Sequence, residues 1–406
     1  MSNIITTIFR SMHFVILILF MMGCSHEETI NIPELENLIV VTEGDDLLTI
    51  TLEKEAVFVS SESNLIGRLG QFDVDDDGRV YVADAMQHRV HVFDSEGRHL
   101  THFGREGGGP GEFRSMGALN YSNGYLYIYD PQLMRLTAFS LNTYEEFNTI
   151  HTQAINKREV EHLSGLNQSG FIFINRNKFL VNFTSRLVPN PAHAGYNLND
   201  NYRTYHLMDR DRRIDREQVF KKPGYKALSA TVNGQYRFTQ FEFLGSTLIT
   251  TTENSMYMAR SEDFLIKVYD TYGTYLRAYY YPFQKKVFTR EQAIQQQKRE
   301  YEEGVVEWRV SVIENAPEEQ VPQTWPALND LLLDDENRLW VSTIMGDFNI
   351  YEWWVLEETG KLITKFEWPQ NEPIEVIKNG YVYTRQTDEE TGLQQVVRYR
   401  IVFEMK

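Results

Sequence analysis

The sequence predicts an all-β fold, a six-bladed β-propeller made of four-stranded antiparallel blades. Gly78–Phe93 and Gly124–Phe139 lie 46 residues apart and carry glycine, tyrosine, aspartate, arginine and phenylalanine in register. A repeat of about this length is typical of a propeller blade or a solenoid unit. The second observation is a succession of short β-rich runs separated by Asp/Gly turns, as in an antiparallel meander. Six such groups fit residues 47–406 without a large remainder.

The blades are assigned in chain order from these runs and turns. The predicted blades are 69–103, 116–150, a third with strands near 171–174, 179–183, 205–208 and 218–220, then 240–282, a fifth from Leu328, and 373–403. Blade three is the least regular. It contains an insertion at 184–202 that is rich in Asn and Pro, and we predict a long surface loop there.

Two segments do not belong to any blade. The runs 47–53 and 56–60 are rich in β-forming residues, and we expect them to close the ring against the C-terminal blade. Thr289 and Gln292 form a capping box before a polar stretch with helix-forming composition. This pattern predicts an inserted helix over 290–303.

Residues 1–23 are predicted to be a lipoprotein signal peptide. Arg10 precedes the apolar run Phe14–Met22, which is shorter than the roughly 20 residues that a membrane-spanning helix needs. Cys24 is the only cysteine, and Met21–Cys24 resembles the lipobox of bacterial lipoproteins. That resemblance implies acylation of Cys24 and attachment to the bacterial outer membrane, on its periplasmic or its exposed side. We expect residues 24–46 to be a tether and 47–406 to be the propeller.

Charge restricts the classes of partner. The net charge is −17, which argues against nucleic acid because binding there depends on neutralising phosphates. An acidic surface also repels anionic lipid headgroups, so contact with the membrane is expected through the lipid anchor. The expected partners are an envelope protein, a peptide or a glycan.

Two polar clusters suggest metal binding at first sight. Asp73–Gly78 is rich in carboxylates but lacks the spaced ligands and the distal glutamate of an EF-hand, which favours a turn. His88, His91, His99 and His102 lie on two adjacent strands at the outside of blade one. Imidazole nitrogen binds zinc, but this location favours a solvated outer face. No metal and no cofactor is predicted.

Asp84 and Asp130 each follow the second strand of a blade, five residues before Arg89 and Arg135. We predict that each carboxylate fixes its loop, either by accepting backbone N–H groups or by pairing with that arginine. A role on the rim as a ligand-binding group is the alternative, because binding residues often lie on loops held by a rigid scaffold.

Three segments carry a resemblance to known proteins. Val74–Asp84, Arg89–Asp94 and the glycine-rich Gly104–Phe113 resemble NHL-repeat propellers, and more closely the six-bladed β-propeller lipoproteins of the Bacteroidetes type. The resemblance is strongest over 67–141. It implies the propeller fold and export, and it implies no particular activity.

The candidate ligand-binding residues are those expected near the axial channel, where the first strands of the blades converge. They are Arg68, Glu161, His162, Asn329, Asp330 and Glu375. They do not form a recognised metal or acid/base set, and the chain contains no Gly-x-Ser-x-Gly or His-Glu-x-x-His motif. The sequence therefore predicts a non-catalytic binding platform, with no catalytic residue assigned. The alternative is a metal-dependent hydrolase or lyase acting in the channel, by analogy with lactonase and NHL-type lyase propellers.

Overall fold

A computed structural model describes residues 33–44, 46–59, 65–160, 163, 165–185, 188–190, 195–197, 202–223, 227–240, 244–300 and 306–405. Its strands form six four-stranded antiparallel blades arranged as a β-propeller. The predicted fold class is confirmed. Glu161 and His162, the signal peptide and Cys24 lie outside the described residues. None of the helices in the described ranges is long and apolar enough to cross a membrane.

The strands follow one another along the chain as consecutive meanders. The first half contains β1 Leu38–Val40, β2 Thr49–Phe58, β3 Leu69–Val74, β4 Val80–Asp84, β5 Arg89–Phe93, β6 His99–Phe103, β7 Arg105–Glu106, β8 Glu112–Phe113, β9 Ala118–Ser122, β10 Tyr125–Asp130, β11 Arg135–Ser140, β12 Glu146–His151, β13 Asn167–Asn175, β14 Lys178–Thr184, β15 Val188–Asn190, β16 Gly195–Asn197, β17 Tyr202–Asp209 and β18 Ile214–Pro223.

The second half contains the only two described α-helices. The elements are β19 Leu228–Val232, β20 Gln235–Thr239, β21 Thr247–Thr251, β22 Ser255–Arg260, β23 Leu265–Asp270, β24 Tyr275–Tyr280, α1 Arg290–Glu300, α2 Val306–Asn315, a 3-10 turn Glu318–Gln320, β25 Leu328–Leu333, β26 Leu339–Ile344, β27 Ile350–Leu356, β28 Leu362–Pro369, β29 Ile374–Lys378, β30 Tyr381–Thr387 and β31 Gln394–Glu404.

The six blades are β3–β6, β9–β12, β13–β14–β17–β18, β21–β24, β25–β28 and β29–β31 with β2. The first-named strand of each blade is the innermost. We call the side that carries the turns between first and second strands the lower face, and the opposite side the upper face. The turns between third and fourth strands also lie on the lower face.

In the first turn of blade one, Asp75 of the acidic run Asp73–Gly78 stabilises the turn itself. The Asp75 carboxylate accepts the backbone N–H groups of Asp77 and Arg79 and the Tyr81 hydroxyl, at 2.8–3.0 Å. In blade five Asp334 makes the equivalent turn and accepts the Trp340 indole N–H at 2.9 Å. The carboxylate therefore serves its own turn, and the same chemistry recurs because each meander needs the same tight reversal.

The N-terminal strand closes the ring. β2 is the outermost strand of blade six and pairs antiparallel with β31, from Thr49 opposite Glu404 to Phe58 opposite Val396. The Phe58 side chain is fully buried against Phe93 of blade one, with ring centroids 6.1 Å apart. The two ends of the propeller are thus joined by main-chain hydrogen bonds, as the sequence predicted.

The predicted tether, 24–46, lies within the described residues only at 33–44 and 46, and part of this stretch is a strand. β1 pairs in parallel with β24 as a fifth strand at the edge of blade four, and the Val41 N–H continues this ladder to Tyr280 O at 2.8 Å. Val41 is buried. The short β-rich run Leu38–Val40 therefore satisfies an otherwise open sheet edge.

The large insertions follow strands that end on the upper face. α1 and α2 lie between blades four and five and pack with the hairpin β19–β20 around a buried core that includes Val312, Ile313 and Trp325. The Thr289–Gln292 capping box is formed, with the Thr289 N–H donating to Gln292 Oε1 at 3.0 Å. The segment 184–202, predicted as a loop, contains the hairpin β15–β16, and its first and last residues belong to β14 and β17.

Gly97 is expected to be intolerant of any side chain because of how closely the closing strand approaches it. An added Cβ would lie 2.5 Å from Val57 O, and the glycine has a φ of +82°. Gly124 has a φ of +77° but nothing within 4 Å of an added Cβ. We expect Gly124→Ala to lower the free energy of unfolding by about 1 kcal/mol, the ordinary left-handed penalty. Gly97→Ala should lower the free energy of unfolding by about 1–3 kcal/mol more than Gly124→Ala does. Urea denaturation of both variants measures the difference, and equal losses would contradict the close approach.

Candidate functional site

The upper part of the axial channel contains three of the predicted ligand-binding residues. Asn329 and Asp330 lie on β25, and Glu375 lies on β29 of the next blade. Asn329 Nδ2 is 3.5 Å from Ser342 Oγ. Asp330 and Glu375 are close enough for the charge of one to act on the other.

Arg385 organises this part of the channel, although the sequence analysis did not single it out. Its guanidinium binds Glu375 through two hydrogen bonds of 2.6 and 3.0 Å. It also donates to the carbonyl oxygens of Leu69 and Gly70 in blade one, at 2.9 and 2.7 Å. Arg385, on the second strand of blade six, therefore neutralises a channel carboxylate and ties blade six to the inner strand of blade one.

Two channel carboxylates resist ionisation. Burial, together with the neighbouring Glu375 charge, raises the pKa of Asp330 to about 6 despite a hydrogen bond from Leu331 N–H. Burial also raises the pKa of Asp73 to about 6, even though its carboxylate accepts the N–H groups of Tyr121 and Val74. Both residues keep a partly accessible surface. The channel is therefore a place where negative charge is costly.

Arg68 is placed differently from the other described candidates. It precedes β3 on the upper face, and its side chain is exposed. Its backbone N–H donates to Asp84 Oδ1 at 3.2 Å. The structure therefore brings together Asn329, Asp330 and Glu375 but does not place Arg68 in that cluster.

A polar site lies at the lower mouth of the channel. The first turns of blades two, three and four surround a pocket of about 440 Å³ lined by Ser122, Asn123, Asn175, Arg176, Asn177, Glu253 and Asn254. We call it the mouth pocket. Its lining is almost entirely amide, hydroxyl and charged side chains, so it can donate and accept hydrogen bonds at many points.

Glu253 links the three turns of the mouth pocket. Ser122 Oγ donates to its carboxylate at 2.8 Å, and the Asn123 amide donates to the same oxygen. Asn175 Nδ2 donates to the Glu253 backbone carbonyl at 2.8 Å. These bonds hold the turns of neighbouring blades in fixed positions, which leaves the exposed Asn177 and Asn254 side chains on a rigid frame.

The mouth pocket continues into a cleft on each side. Between blades two and three lies a cleft of about 340 Å³ that shares Arg176 and Asn177 with the mouth pocket. Between blades four and five lies a cleft of about 390 Å³ that shares Glu253 and Asn254. The three cavities form one groove across the lower face, and we call it the lower-face groove.

The two rim aspartates hold their loops by accepting backbone hydrogen bonds. Asp84 is fully buried and accepts the N–H groups of Gly67, Arg68, Met86 and Gln87 at 2.7–3.2 Å. Burial opposes its ionisation, but these four donors hold its pKa below the usual range. Asp130 likewise accepts four backbone N–H groups at 2.8–3.3 Å. Both aspartates therefore fix their loops by accepting backbone N–H groups, the first of the two predicted interactions.

Of the four clustered histidines, only His91 departs from the solvated outer face that the sequence predicts, since His102 is exposed and His88 and His99 are partly exposed. His91 is buried, and its Nδ1 lies 3.2 Å from His99 Nε2. Burial and the adjacent His99 lower the pKa of His91 to about 4. Blade one places the His91 ring toward Asp84, with Nε2 3.7 Å from the carboxylate, and the negative charge of Asp84 partly opposes this lowering of the pKa. In the described ranges, no three His, Cys, Asp or Glu side chains are grouped so that they could hold a metal ion.

Comparisons with known proteins agree with the fold. A family model described as a 6-bladed beta-propeller matches residues 56–183. No curated protein is significantly similar in sequence to this chain.

Among solved structures, three neighbours illustrate the range of the similarity. The Bacteroides fragilis protein BF0058, described as exported, is 11% identical with a TM-score of 0.47, covering 90% of this chain and 99% of its own. A Bacteroides vulgatus member of the duf4221 family is 9% identical with a TM-score of 0.45, covering 92% and 100%. Regucalcin from Agrobacterium tumefaciens, a calcium-binding protein, is 9% identical with a TM-score of 0.34, covering 91% and 98%. Similarity at these levels carries no argument about activity.

Proposed function

We propose that this chain is a lipid-anchored propeller of the bacterial cell envelope that binds a partner through its lower-face groove and catalyses no reaction. The partner is an envelope protein, a peptide or a glycan. The single observation that carries the proposal is the mouth pocket, in which three turns of neighbouring blades present amide side chains on a rigid frame. The lipobox-like Met21–Cys24 and the short apolar run before it support the anchor and the export.

The two ends of the channel differ in what they offer a ligand. Connections that end on the upper face carry the helices α1 and α2 and the hairpin β19–β20, which pack into a core of their own. Of the channel carboxylates, Glu375 is bound by Arg385, and Asp330 accepts the backbone N–H of Leu331. The lower mouth instead exposes Asn177 and Asn254. Exposed polar groups on rigid turns are suited to binding because they lose little conformational freedom when a ligand arrives.

The test replaces two exposed amides that make no side-chain hydrogen bond within the described chain. The variant Asn177→Ala with Asn254→Ala is compared with the wild type on arrays of glycans and of peptides. We expect the wild type to bind a defined subset, and the variant to bind it at least tenfold more weakly, about 1.4 kcal/mol. The control is Asn315→Ala, an exposed asparagine at the end of α2. Binding that survives the double substitution, or that falls equally in the control, would contradict the proposal.

A further inference from the structure

The cleft between blades two and three has a composition unlike the rest of the lower-face groove. The Phe147 side chain is 65% exposed, and its ring centroid is 4.8 Å from that of Tyr125. The exposed Phe147 ring gives this cleft an apolar surface that a ligand can reach. Leu136, Ala138 and Ile150 complete the apolar floor.

Two arginines stand beside these rings. Arg176 comes from the first turn of blade three and Arg210 from its second lower turn, and both line the cleft. Both side chains are exposed. Neither forms an ion pair with a carboxylate of the described residues, although the chain carries 57 acidic residues and only 40 lysines and arginines. In such an acidic protein, two unpaired guanidinium groups in one cleft are complementary to an anion.

We infer that this cleft binds an acidic sugar unit of a glycan, with the pyranose ring stacked on Phe147 and Tyr125 and its carboxylate held by Arg176 and Arg210. The inference rests on the proposed binding function and names its ligand class. The weakly positive C–H face of a sugar ring is attracted to the negative face of an aromatic ring. Arginine holds a carboxylate through two parallel hydrogen bonds.

The neighbouring groups favour a saccharide over a peptide. Asn148 and Asn177 line the same cleft, and each amide offers both donors and an acceptor, as sugar hydroxyls require. Arg176 and Asn177 also belong to the mouth pocket. A chain of sugar units can therefore continue from the aromatic cleft into the amide-lined mouth without leaving the lower face.

The probe is an octamer of galacturonic acid, and the matched neutral probe is the same octamer with its carboxylates converted to methyl esters. Binding to the full-length chain, in a zwitterionic detergent that contains no sugar and with a chelator present, is measured by titration calorimetry. We expect the acid octamer to bind at least tenfold more tightly than the ester. Arg176→Gln with Arg210→Gln should remove that difference, and rising salt should reduce it.

Two further variants separate charge from stacking. Arg114→Gln with Arg158→Gln removes the same number of charges from exposed arginines of the connections between blades, and it should leave the preference unchanged. Phe147→Ala should weaken the acid and the ester octamers alike. Because all of these side chains are exposed or partly exposed, we expect the variants to fold, and circular dichroism checks this.

Three other results would contradict the inference. Equal binding of acid and ester, or an acid preference that survives loss of both arginines, would overturn the acidic-sugar inference. Arginine-dependent binding of peptides that end in a free carboxylate, without binding of either octamer, would overturn the saccharide class. If ligands still need Asn177 and Asn254 but not the arginines, the inference fails while the proposed binding function stands.

Discussion

Replacing Arg385 by alanine is expected to lower the free energy of unfolding by about 3 kcal/mol. The substitution removes two hydrogen bonds to Glu375 and two to backbone carbonyls of blade one, at Leu69 and Gly70. It also leaves the Glu375 carboxylate without its cation next to Asp330. Urea denaturation at pH 7.5 measures the loss.

A second variant separates the two contributions of Arg385. Adding Glu375→Gln to Arg385→Ala removes the unpaired negative charge. The hydrogen bonds to blade one remain lost in this double variant. We expect it to recover about half of the lost stability. A loss below about 1 kcal/mol in Arg385→Ala would show that the guanidinium is no more than a surface ion pair.

Replacing Asp330 by asparagine is expected to stabilise the protein at pH 7.5 and to have no effect at pH 4. The pKa of Asp330 is raised from 3.8 to about 6 by burial and by Glu375. Because the folded pKa lies above the unfolded value, the folded state loses stability as the pH rises through about 6. At pH 7.5 the ionised Asp330 lowers the free energy of unfolding by its full amount, on the order of 3 kcal/mol. The asparagine oxygen can still accept the Leu331 N–H that Asp330 accepts at 2.8 Å.

The measurement is thermal or urea unfolding of the wild type and of Asp330→Asn at both pH values. We expect a gain of about 1–3 kcal/mol at pH 7.5 that disappears at pH 4. A similar change at both pH values, or a loss at pH 7.5, would show that Asp330 is stabilised by partners rather than strained by its surroundings. A gain would identify a carboxylate that the fold keeps at a cost in stability, as functional sites often do.

Local sequence patterns predicted the architecture well because each blade repeats the same local chemistry. Asp75 and Asp334 precede the same tight turn, and their carboxylates organise it through bonds within six residues. Closure by the N-terminal strand was also predictable, since its β-rich runs had no other partner. β1 was missed because three residues are too short to stand out. α2 was missed because it is rich in valine and isoleucine, which favour a helix less than the residues of α1 do.

The lower-face groove could not be predicted because it depends on the closure of the ring. Asn123, Asn175 and Asn254 each look like ordinary turn residues in the sequence. They form one pocket only because three blades bring their first turns to the same side of the axis. Arg385 was missed for a similar reason, since the carbonyl groups of blade one that it binds lie about 315 residues away in the sequence. Asn329, Asp330 and Glu375 were found because strand order alone places them at the channel.

The most direct test of the central claim is hydrogen–deuterium exchange of the full-length chain with and without a saturating bound ligand from the arrays. We expect slower exchange at the lower-face turns 122–124, 175–177 and 252–254, with little change over α1 and α2. Protection confined to the helices and the upper face would contradict that claim, because the ligand would then occupy the opposite end of the channel.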